Sequence, residues 1–118
     1  MLIKVSVVDT FWNPVFTAQT EINPVALMVV AEQREEMARE KGVDWIHGAI
    51  TFFGQELVKV MSTMQENKTI EKAALELAQV TWLFDSIFCG LSAESFVQSD
   101  LQFTVTPDGI VKYDRIPV

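Results

Sequence analysis

The chain has one cysteine, Cys89, and one histidine, His47. A lone cysteine cannot close an internal disulfide. Its apolar neighbours Phe88 and Leu91 predict a reduced, buried thiol in a cytoplasmic protein. One His and one Cys together exclude the usual zinc ligand sets. A Ser-His-Asp triad would have to use His47, and no Gly-x-Ser-x-Gly elbow is present. A single histidine near a helix start reads as a structural or exposed residue. Neither common glycine-rich phosphate loop occurs. Basic residues are scarce, 9 against 16 acidic ones, for a net charge of −7 and a pI near 4.5. Nucleic-acid binding through phosphates needs clustered Lys and Arg, so that class is excluded. No apolar run reaches the length of a membrane span. The start, Met1-Leu2-Ile3-Lys4-Val5, lacks the basic end and long apolar core of a signal peptide. The expectation is a cytoplasmic protein that meets neither nucleic acid nor membrane.

What is present is a chain of 118 residues, 49% apolar and 21% charged, enough for one core and one domain spanning 1–118. Ile3, Val5 and Val7 alternate with Lys4 and Ser6, which predicts a half-buried strand from Leu2 to Asp9. Asn13-Pro14 marks a turn, and Val15 to Thr20 reads as the returning strand. Phe11 and Trp12, between the strands, are expected to plug the core, with lining a pocket as the alternative. Asn23-Pro24 is a helix start with Asn as N-cap and Pro at the first helical position. That helix should stop at Gly42. Its second half is charged, and Glu35 and Arg39 are spaced to pair. Leu27, Val30, Arg34 and Met37 nevertheless keep one face.

Residues 44–91 read as two long apolar helices joined by the polar turn 65–69. Ile46, Ala49, Ile50, Phe53, Leu57, Val60, Met61 and Met64 recur at three- and four-residue steps. Ile70, Ala73, Leu77, Val80, Phe84, Ile87 and Leu91 do the same. Each helix has a second apolar stripe, with Trp45, Phe52 and Val58 on the first and Leu75, Ala78, Trp82 and Leu83 on the second. A helix apolar on two sides is buried on two sides, and in so short a chain a second copy is expected to supply the cover. Gly48 and Gly54 lie inside the first of these helices, each at a cost of about 1 kcal/mol relative to Ala. Such glycines mark a close approach by another backbone or by a ligand. Ser92 is expected to cap a short turn through Phe96. Leu101, Phe103 and Val105 alternate with Gln102 and Thr104, Thr106-Pro107-Asp108-Gly109 is a turn, and Ile110 to Arg115 is the last strand.

Two stretches, Gly54-Gln55-Glu56-Leu57-Val58-Lys59 and Glu76 to Asp85, continue into Gly90-Leu91-Ser92-Ala93-Glu94-Ser95-Phe96. Over about residues 46–96 this resembles the helical hairpin of the MazG-like all-α nucleoside triphosphate pyrophosphohydrolases. Members of that family carry E-E-x-x-E on one helix and E-x-x-D on the next, and those acids bind magnesium, which holds a nucleotide's phosphates. Here the first motif reads Gln55, Glu56, Lys59 and the second Glu76, Gln79, so only two acids match. Lys59 also brings a positive charge where the family has a carboxylate. The resemblance therefore implies a degenerate hairpin, with no metal or other cofactor and no catalytic residue. The implied function is binding or sequestering a nucleotide-like small molecule, as in a viral or mobile-element accessory protein.

The expected ligand residues are Gln55, Glu56, Lys59, Glu76, Gln79, Trp82 and Arg115. Lys59 and Arg115 (or Lys112) would supply charge, Gln55 and Gln79 polar edges, and Trp82 or Phe53 a stacking face. Three other readings stay open. One is a divergent magnesium-dependent pyrophosphohydrolase taking its missing ligands from Glu32, Glu35, Glu36, Glu71 or Asp85. Another is an acidic interaction module that inhibits a host protein. The third is a structural assembly subunit. The expected fold is α+β: terminal β-hairpins form an antiparallel sheet around three central helices, with the helical hairpin in a homodimeric or larger bundle.

Overall fold

The computed structural model describes residues 1–63, 67–91, 96 and 98–117. Its elements are β1 (Leu2–Val8), β2 (Pro14–Glu21), α1 (Pro24–Ser62), α2 (Asn67–Phe88), β3 (Ser99–Val105) and β4 (Val111–Pro117). The strands form one sheet in the order β2-β1-β3-β4. β1 pairs antiparallel with β2, and β3 with β4, but the central pair β1/β3 is parallel, with Ile3 opposite Leu101 and Val7 opposite Val105. The sheet is thus mixed, not antiparallel as expected. Alternation of side chains gives a strand its faces but not its direction. A parallel neighbour needs a long crossover, and the two helices provide it.

A second correction concerns the helices. Three were expected, but a single element, α1, spans 39 residues from Pro24 to Ser62, kinked at Gly42. Gly42 takes a non-helical conformation (φ 79°, ψ −171°), so the chain bends there without a loop. A residue with that φ is best served by glycine. Asn23 caps α1, its Oδ1 accepting from the Val25 amide at 2.9 Å. The pair expected between Glu35 and Arg39 forms at 2.8 Å. The expected turn around Ser92 and part of the inter-helix turn, Gln65 and Glu66, lie outside the described residues.

The core lies between the helices and one face of the sheet. Ile3, Val5, Val7, Leu101, Phe103 and Val105 bury the inward face, while Lys4, Ser6, Gln102 and Thr104 face away from it. Along α2, Leu77, Ala78, Val80, Thr81, Trp82 and Leu83 are all buried. The second apolar stripe of α2 is therefore covered within one chain, by the sheet and α1 together. On α1 the second stripe is less covered: Phe52 is 55% exposed.

Phe11 and Trp12 do not plug the core. The β1–β2 turn leaves them 82% and 48% exposed. Trp12 has φ +64°, and the Lys112 ammonium lies 4.2 Å from the centre of its ring. Cys89, expected to be buried, is exposed. It follows the last residue of α2, where the chain turns at Gly90 (φ 67°).

Candidate functional site

Two concave sites adjoin the second segment of α1. The larger, about 550 Å³, occupies the elbow at Gly42. Arg34 and Met37 line it from before the bend, and Trp45, Gly48, Ala49, Phe52 and Phe53 from after it. Helical spacing explains the second wall: residues 45, 48, 49 and 52 share one face. Phe52 and Phe53 pack edge to face, with ring centres 5.3 Å apart. Arg34 is half-buried, whereas the other eight basic residues are exposed. Among the described residues its side chain makes no ion pair or hydrogen bond; the ion pairs are Arg39–Glu35 and Arg115–Asp85. Gly48 has nothing within 4 Å of where its Cβ would stand. Gly54, by contrast, is packed against Val111 and the backbone of Gly109.

The smaller site, about 280 Å³, lies where α1, α2 and the start of β4 meet, and is lined by His47, Ile50, Thr51, Phe84, Val111 and Tyr113 among others. His47 stacks on Phe84 with ring centres 5.2 Å apart. Behind it, the Tyr113 hydroxyl donates to Asp85 Oδ1 at 2.6 Å. Arg115, two residues along β4, brings its Nε to 3.7 Å from Asp85 Oδ2. That is an ion pair but too long for a hydrogen bond, and Oδ2 has no other partner. Burial, then the hydrogen bond to Asp85 and its charge, push the Tyr113 phenol far above its ordinary value, so it stays a donor.

The residues named from sequence are placed as follows. Gln55 is exposed on α1 and donates from Nε2 to the Asp108 carbonyl at 3.0 Å, which ties the β3–β4 turn to the helix. Glu56 and Glu76 are half-buried on α1 and α2. Lys59 is exposed in the last turn of α1, where a cation complements the free carbonyls. It pairs with neither Glu56 nor Glu76 within 4.0 Å. Gln79 is 2% exposed with its Oε1 unpartnered. Trp82 is 3% exposed and lies edge-on to Phe96, with ring centres 6.5 Å apart. Arg115 belongs to the Asp85 ion pair. None of these seven lines either site described above. Of the two stacking residues offered from sequence, Phe53 lines the elbow cleft.

The magnesium set that a divergent pyrophosphohydrolase would need is not assembled among the described residues. Among the described residues no three of His, Cys, Asp and Glu come together to hold a metal ion. Of the substitute ligands, Glu35 is paired with Arg39, and Asp85 is held by Tyr113 and Arg115. Compared with known proteins, the chain matches no family model, no curated protein and no solved structure. No helix among the described residues is long and apolar enough to cross a membrane.

Sequence reasoning missed Arg34. The signal was there: an arginine on the face that Leu27, Val30 and Met37 keep apolar, opposite a helix carrying Trp45 and Phe52.

Proposed function

We propose that the protein is a non-catalytic binding protein that takes up a small, flat, anionic molecule of the nucleotide type in the Gly42 cleft. One observation carries this reading: Arg34, half-buried and without an ion-pair partner among the described residues, lines the same cleft as Trp45, Phe52 and Phe53. The chain is rich in acidic residues, yet among the described residues none pairs with Arg34. Guanidinium groups bind phosphate or carboxylate in a bidentate way, and aromatic faces take a planar ring. A mostly apolar cleft with a few polar groups is the usual form of a small-molecule site. Titration calorimetry with adenosine monophosphate and other nucleotides tests the reading. The wild-type protein binds, and Arg34→Ala weakens binding by about tenfold or more, the effect of one lost charge-assisted hydrogen bond. Failure of the wild-type protein to bind any nucleotide, or binding untouched by Arg34→Ala, contradicts it.

A second reading, self-association into a homodimer, is favoured by the exposed outer side of α1. Val25 is 67% exposed and Val29 49%. Two copies joined along this side would cover both residues. Sedimentation at micromolar concentration distinguishes a 13.3 kDa monomer from a dimer.

A further inference from the structure

We infer that the planar ring of the ligand lies over Gly48, between Trp45 and Phe52, and that Gly48 is the residue that selects for a ring. The inference rests on the binding reading above and adds the pose and the basis of selectivity. Trp45 and Phe52 are seven residues apart on one face of α1, so their backbones are about 10 Å apart along the axis. A ring stacked on both would sit about 4.5–7 Å from each ring centre.

The floor of this gap is Gly48 and Ala49, both small. Glycine within a helix is unfavourable, and at Gly54 the packing explains it: an added Cβ would lie 2.8 Å from Val111 Cγ2 and 3.0 Å from the Gly109 carbonyl oxygen. At Gly48 no packing contact among the described residues calls for glycine, and the position is exposed and open. A ligand ring resting on the helix backbone would use that open space. Arg34 faces the same cleft from the other side of the bend, where it meets the anionic group. The ligand class is therefore an aromatic ring joined to a phosphate or carboxylate, with both parts recognised.

Calorimetry with adenosine monophosphate and ribose 5-phosphate tests this on the wild-type chain, Gly48→Ala and Gly48→Leu, with thermal melts to verify folding. The wild-type protein should prefer adenosine monophosphate by about tenfold or more, the usual effect of stacking one base. Gly48→Leu should remove that preference, with Gly48→Ala intermediate. A preference that survives Gly48→Leu overturns the pose while the binding reading stands. Equal wild-type affinity for both ligands does the same. No binding of either ligand overturns both. A wild-type dimer that Gly48→Leu dissociates, without nucleotide binding, assigns the slot to a second copy and overturns the pose.

Discussion

Gly54 of α1 and Gly109 of the β3–β4 turn meet so closely that neither tolerates a side chain. A Cβ on Gly109 would lie 2.5 Å from Gln55 Cγ and 2.7 Å from the Thr51 carbonyl oxygen, and its φ of 83° strains any other residue. The hydrogen bond from Gln55 to the Asp108 carbonyl closes the same contact. It fixes β4 against α1 and so holds one wall of the His47 site.

The three glycines around this helix should therefore respond differently to alanine. Gly54→Ala and Gly109→Ala should each destabilise by about 1–3 kcal/mol through overpacking. Gly48→Ala should stabilise by about 0.5–1 kcal/mol, because the site is open and alanine is the better helix former. Urea unfolding of the three variants measures this. A Gly48→Ala variant as damaged as the other two would show that the elbow is filled by the chain itself.

Tyr113→Phe should cost about 1–3 kcal/mol, because it removes the donor to a buried carboxylate. Its effect should also depend on pH. The folded phenol keeps its proton far above the ordinary value of 10.0, while the unfolded one ionises there. The unfolded chain then binds fewer protons, so wild-type stability falls as pH rises above 10.0. Tyr113→Phe lacks that loss, and the gap between the two proteins should narrow in alkali. Parallel stability curves up to pH 11 or so would contradict the assignment.

Asp9 organises the exposed turn. Its Oδ1 accepts from the Asn13 amide at 2.9 Å and the Phe11 amide at 2.8 Å. Those bonds, with Asn13 the larger contributor, hold its carboxyl below the ordinary value of 3.8. A depressed carboxyl stabilises above that value and loses its contribution as pH falls through the folded pKa. The Phe11 and Asn13 amide signals should titrate together with a midpoint below 3.8. A midpoint at or above 3.8 would mean that the turn is not held this way.

Much of the fold could be read along the chain. Ile3/Val5/Val7 and Leu101/Phe103/Val105 alternate plainly, and Asn23-Pro24 announces α1. What could not be read depends on how distant segments meet. Nothing within Leu101–Val105 tells whether its neighbour runs the same way. Gly42 ends a helical stretch in sequence terms, but in space it only bends one. The Asp85–Tyr113 bond joins residues 28 apart in the chain. The elbow cleft escaped for a similar reason: Arg34 belongs to the charged half of α1 and Trp45 to the apolar half, and only the bend brings them together.

The central claim is that the Gly42 elbow is the ligand site, and amide chemical-shift mapping with adenosine monophosphate tests it most directly. The shifted signals should cluster at Arg34, Met37, Trp45, Gly48 and Phe52, and Arg34→Ala should require about tenfold or more ligand to produce the same shifts. Shifts centred on His47, Phe84 and Tyr113 would move the site to the smaller cavity. No shifts at all at millimolar ligand, a range where even weak sites fill, would contradict the account.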